Sequence, residues 1–166
     1  MTETSDDVID QLAGLTADSP LAALRRERSD VVAYTQASDD AIFRPKDEAG
    51  LTRAERAAAA LRVATILCDD MLIAHYRERL QALDPSEALA ESVADAAAPA
   101  DARWAAVLAH VERVTREPDS AQASDLQSLA AVGLSPHAIV SLSQLIAYVN
   151  FQARVLAGLR MLREAK

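Results

Sequence analysis

The chain is predicted to fold as an all-α protein, and three observations carry that prediction. Only 4 Gly and 6 Pro interrupt 166 residues, so long stretches have nothing to break a helix. Alanine and leucine dominate the apolar positions and recur at helical spacing. No segment alternates apolar and polar residues as a half-buried strand would.

The elements follow in order. Residues 1–8 read as a flexible tail, and Val8 to Leu15 as a short helix stopping near Gly14. Ser19-Pro20 is a start signal, a Ser cap with Pro at the first helical position. Helical pieces over 21–28 and 30–43 follow it, and Phe43-Arg44-Pro45 ends them because a residue before proline avoids helical backbone. Thr52 and Glu55 have capping-box spacing. Beyond them Ala54, Ala57, Ala58, Leu61, Ala64, Cys68, Leu72 and His75 keep helical periodicity to about Leu80. The small side chains predict a closely packed neighbour. Asp69-Asp70 interrupts the pattern, so either one helix or two fits. Further helices are expected over 86–96, 99–116 and 124–132, the last closed by Gly133. Ser135-Pro136 opens a final helix to about Leu162, with Ile139, Leu142, Leu145, Ile146, Val149, Val155 and Leu159 on its buried stripe. One domain over 1–166 is expected.

Composition narrows the function. The net charge of -8 and the scarcity of lysine, only Lys46 and Lys166, argue against nucleic acid as a partner. No uncharged apolar run approaches a membrane span. The N-terminus lacks the basic start and apolar core of a secretory signal, and a lone cysteine fits a reducing compartment, so a cytoplasmic location is expected. His75, His110 and His137 are isolated and lack metal-ligand spacing. No P-loop or glycine-rich dinucleotide motif occurs. Neither a metal nor a cofactor is expected.

Chemistry concentrates around Cys68, His75, Tyr76 and Glu55. On one straight helix Cys68 and His75 share a face but lie about 10 Å apart along the axis, too far for direct proton transfer. Asp69 and Asp70 disfavour a nearby thiolate. Cys68 is therefore expected as an inert buried thiol, with a reactive single cysteine as the alternative. His75 is read as either a satisfied core histidine or a ligand-facing group. In the last helix, Gln144, Tyr148, Asn150 and Arg154 form a polar set, with Asn150 and Arg154 spaced to bridge.

The run Leu51-Thr52-Arg53-Ala54-Glu55-Arg56, the alanine-rich helix after it and Ala74-His75-Tyr76 resemble the core motif of the carboxymuconolactone decarboxylase and alkylhydroperoxidase D-like superfamily. Ala130 to Ser135 and Ile146 to Val155 resemble the tail of its peroxidase-related branch. The resemblance spans roughly residues 25–162. It implies a multi-helical bundle and a homo-oligomer (dimer, trimer or hexamer). Active relatives carry a CxxC pair before a histidine, with an upstream glutamate in a proton relay. In one register Cys68, Met71 and His75 take these places and Arg56 stands where the glutamate belongs. In the other, Asp69 and Leu72 occupy the cysteine positions, His75-Tyr76 replaces a histidine pair, and Glu55 matches an acidic position. Neither register holds two cysteines, so an intrachain thiol–disulfide cycle is unavailable.

Three functions remain open. The first is a superfamily member with a degenerate redox site that binds or acts on a small organic molecule. In it His75 is general acid or base, Glu55 orients it, and Tyr76 donates to an oxyanion. The second is a non-enzymatic oligomeric partner or binding protein. The third is a single-cysteine peroxidase, which requires Cys68 to be exposed.

Overall fold

The computed structural model describes residues 7–94 and 101–165. Among them are nine α-helices and no strand: α1 (Val8–Leu12), α2 (Pro20–Arg26), α3 (Ser29–Phe43), α4 (Arg53–Ile66), α5 (Asp70–Gln81), α6 (Glu87–Ala94), α7 (Ala102–Arg116), α8 (Ala123–Ala131) and α9 (Pro136–Glu164). A single 3-10 turn, Pro118–Ser120, lies between α7 and α8.

The helix starts obey local chemistry. Ser19 accepts the Ala22 amide at 3.1 Å with Pro20 behind it, and Ser135 accepts the Ala138 amide at 3.1 Å with Pro136 behind it. Thr52 and Glu55 close a full capping box on α4: the Thr52 hydroxyl accepts the Glu55 amide at 3.2 Å and Glu55 accepts the Thr52 amide at 2.8 Å. Each such cap is worth about 1 kcal/mol. α8 ends as the glycine predicts. Gly133 sits at φ 89°, and the Leu134 amide reaches back to the Leu129 carbonyl at 3.1 Å.

Helix α4 is the hub, in contact with α3, α5, α6, α7 and α9. Ala57, Ala58, Ala59, Ala60, Val63 and Ala64 are all fully buried. A helix surrounded on every side has no room for large side chains, and alanine lets the neighbouring backbones approach. The 29-residue α9 is about 43 Å long and packs on α1, α3, α4, α7 and α8. It seals the core with Leu142, Leu145, Ile146, Val149, Leu156 and Leu159. Asn150 and Arg154 do bridge, at 3.1 Å.

Several expectations need correction. Asp7 and Val8 are not part of a tail: Asp7 caps α1 and pairs with Arg25, and Val8 is buried. Residues 1–6 lie outside the described residues, as do Pro99, expected to open α7, and positions 95–96 of the helix expected over 86–96. In the structure α7 starts at Ala102, capped by Asp101.

The stretch from 53 to 81 resolves into two helices. α4 closes through a left-handed turn in which Cys68 has φ 54°, with the Cys68 amide on the Thr65 carbonyl at 3.1 Å and the Asp69 amide on the Ala64 carbonyl at 3.3 Å. That is the place where glycine normally ends a helix. Asp69 then caps α5 by accepting the Leu72 amide at 3.2 Å.

Candidate functional site

Helix α5 carries adjacent His75 and Tyr76, which its pitch turns about 100° apart. The two residues meet different surroundings. Tyr76 is fully buried. Its hydroxyl donates to Gln152 Oε1 of α9, and its ring lies 5.3 Å from that of Phe43. Burial, reinforced by the negative charge of Asp39, holds its pKa well above 10.0, so the phenol stays neutral. The hydroxyl is committed to tying α5 to α9 and does not line a cavity.

His75 is only half-buried and lines a cleft of about 400 Å³ between the end of α3 and α5. Phe43, Arg44, Arg53, Glu78 and Arg79 share its wall. The imidazole stands edge-on to the Tyr76 ring at 5.0 Å. Its Nε2 is buried with no hydrogen-bond partner among the described residues. Burial lowers the His75 pKa, and the positive charge of Arg79 adds to that against Asp39 and Glu78. At neutral pH the ring is therefore uncharged and one nitrogen carries a lone pair.

Arg79, one turn after His75, braces this wall. Its guanidinium lies over the Phe43 ring at 4.2 Å and forks onto the buried Asp39 at 2.7 and 3.2 Å. Arg44 pairs with Asp40, and Arg53 stands 3.7 Å from Glu48. The cleft is thus rimmed by three guanidinium groups and one carboxylate.

Glu55 belongs elsewhere. One of its oxygens holds the Thr52 amide and the other pairs with Arg103 of α7. It lines a second cleft of about 470 Å³ with Asp84, Pro85, Asp101 and Trp104, and His75 does not reach that cleft. The three residues therefore do not form one site: His75 faces a cleft, Tyr76 touches it ring to ring but spends its buried hydroxyl on Gln152, and Glu55 caps a helix beside a different cleft.

The expected burial of Cys68 is overturned. The thiol is exposed, because the residue sits in the left-handed turn and not on a helix face. Met71, the partner position in the first register, is also exposed. Leu72, the partner in the second, is fully buried. Asp69 is the α5 cap and pairs with Arg160 at 2.6 Å. Burial works to raise its pKa, but Arg160 and the Leu72 amide outweigh that and hold it below 3.8. No group of three or more His, Cys, Asp or Glu is placed to hold a metal among the described residues. No helix among them is long and apolar enough to cross a membrane.

Sequence reasoning missed Arg79, Arg44, Arg53, Phe43 and Gln152. Arg79 alone left a local trace, since it lies four residues after His75 and so shares its helix face.

No family model matches the chain, and no curated protein matches it. Among solved structures, the chain is similar to an uncharacterized peroxidase-related protein from Silicibacter sp. TM1040. The TM-score is 0.71 at 18% identity, over 80% of this chain and 70% of that one. At that identity the likeness establishes the helical fold.

Proposed function

We propose that this chain is a peroxidase-related member of the carboxymuconolactone decarboxylase and alkylhydroperoxidase D-like superfamily with a degenerate redox site, and that it binds a small organic molecule in the cleft beneath His75. In this reading it is a single cytoplasmic domain that assembles with copies of itself. The shared fold and the Leu51–Arg56 and Ile146–Val155 motifs support the family.

The observation that carries the binding reading is the buried Nε2 of His75, without a partner in the wall of a cleft. A polar atom in that position loses free energy until something bonds it. A ligand hydroxyl or amide satisfies it when the imidazole turns that shielded nitrogen toward the cleft. The uncharged imidazole suits acceptance from a neutral donor, and the arginine rim suits an electron-rich group beside it. Binding is favoured over catalysis because the Tyr76 hydroxyl is committed to Gln152 and Glu55 to Thr52 and Arg103, so neither completes a relay with His75.

Equilibrium binding of small lactones and organic acids to the whole protein tests this. His75→Gln is expected to weaken any ligand found by about tenfold, the cost of a lost buried hydrogen bond, while the thermal midpoint holds. Ligands that bind His75→Gln as tightly as the wild type refute the assignment.

The exposure of Cys68 favours a second reading, a single-cysteine peroxidase. There the thiolate attacks peroxide, releases water or alcohol, and the resulting sulfenic acid is reduced by an external thiol. With peroxide and an external thiol, little turnover is expected. Rapid consumption abolished by Cys68→Ser transfers the assignment to this reading.

A further inference from the structure

Arg56 is the most deeply buried cation described in the chain, with 2% of its surface exposed. It rises from the first turns of α4 and holds the segment that joins α3 to α4. Its Nε donates to the Leu51 carbonyl at 2.9 Å, Nη1 to the Ile42 carbonyl at 3.1 Å, and Nη2 to the Glu48 carbonyl at 3.0 Å. A guanidinium has five N–H donors. Two, one on each terminal nitrogen, have no acceptor among the described residues.

The charge is also without a carboxylate of its own. Every partner of Arg56 is a neutral carbonyl. Glu48 and Glu55 act on it only through space, and each is engaged elsewhere, Glu48 beside Arg53 and Glu55 with Arg103. Burial pulls its pKa down, against the opposing influence of those two acids. A buried cation normally has an anionic partner.

Arg56 forms part of the wall of a small pocket of about 170 Å³, separate from the His75 cleft. Facing it, α9 presents His137, Ser141 and Gln144. Their spacing puts all three on one helix face. None of the three side chains has a hydrogen-bond partner among the described residues. Asp47 completes the polar lining; one of its oxygens accepts the Ala49 amide at 2.9 Å.

We propose that this pocket is a binding site for a small oxyanion, held between the two free N–H donors of Arg56 and the side chains of Ser141, Gln144 and His137. A planar guanidinium matches a two-oxygen edge. The shared chemistry of a carboxylate and a phosphate is that edge, and the small pocket confines the ligand to a small anion or to the anionic end of a larger one. The Asp47 carboxylate disfavours an anion beside it, so the ligand is expected on the α9 side of the pocket.

Calorimetric titration of the full chain with sodium acetate and, separately, sodium phosphate at fixed ionic strength tests the site, with chloride as control. Saturable binding that survives His75→Gln supports the proposal, of acetate alone as a carboxylate site, of phosphate alone as a phosphate site, and of both as a general oxyanion site; binding that His75→Gln removes belongs to the cleft and overturns it. The double variant Ser141→Ala, Gln144→Ala, on the outward face of α9, is expected to weaken binding by about tenfold or more without changing the thermal midpoint of the anion-free protein. Arg56→Lys is expected to abolish binding; if that variant fails to fold, the double variant carries the test. His75→Gln is expected to bind the anion unchanged, which separates this site from the cleft. Absence of saturable binding by both anions, or unchanged binding by the double variant, overturns the proposal.

Discussion

Helices α4 and α5 are joined by three residues, 67–69, yet meet opposite demands. α4 is surrounded by five helices and buries eight of its fourteen residues. It does so with alanine, and its one buried charge is spent on backbone carbonyls. α5 buries only Leu72, Tyr76 and Leu80 of its twelve residues, and its other faces carry His75, Glu78 and Arg79 to a cleft. The hub is built from side chains too small to do chemistry. The helix beside it, rooted by Leu72, Tyr76 and Leu80, is free to present polar groups. A closely packed helix thus positions one whose outer faces carry polar groups.

The sharpest test of this contrast is Arg79→Met, which leaves Asp39 buried and unpaired. A loss of about 3 kcal/mol in denaturant unfolding is expected; a loss below about 1 kcal/mol means that α5 does not depend on this pair. Next is Ala59→Leu at the centre of α4. Overpacking there is expected to cost about 2 kcal/mol, whereas the same volume added at the exposed Ala74 of α5 costs almost nothing. Equal costs at the two positions remove the distinction between hub and presenting helix.

A smaller effect is expected with pH. His75 and His110 both have folded pKa values lowered from 6.5, each first by burial. The unfolded chain then binds more protons than the folded one between each folded pKa and 6.5, so stability rises with pH through that window and falls on acidification. Replacing both histidines by glutamine should flatten the dependence of the unfolding free energy over that range. A slope that persists assigns the acid sensitivity to other groups. The smallest change expected is at the joint itself. Cys68→Gly relieves a left-handed residue and is expected to stabilise by about 0.5–1 kcal/mol, the usual advantage of glycine over a side chain at positive φ. Destabilisation indicates that the thiol makes a contact that holds the turn.

The helix starts were legible because their determinants are local. Ser19-Pro20, Thr52 with Glu55, and Ser135-Pro136 each act within four residues, and the alanine run of α4 states its own burial. The site was legible in part. His75 stood out as a lone histidine on a periodic helix, but its role depends on Phe43, Arg44 and Arg53, which reach it from the end of α3 and the start of α4. Tyr76 finds Gln152 76 residues away, and in the sequence Gln152 was one polar residue among several in an apolar helix. Glu55 is the opposite case: its capping-box spacing is a local signal, and that local role, with Arg103, is what occupies it.

The chain's own order of residues determined that it would be helical, where most helices begin, and that one cysteine cannot complete a dithiol cycle, since composition, capping and covalent stoichiometry are local properties. Only the tertiary structure decided that Cys68 is exposed, that Glu55 and His75 line different clefts, and that Arg56 lies buried without a carboxylate. Those outcomes depend on how distant helices share space, and no short-range pattern encodes which side chain a neighbour will cover.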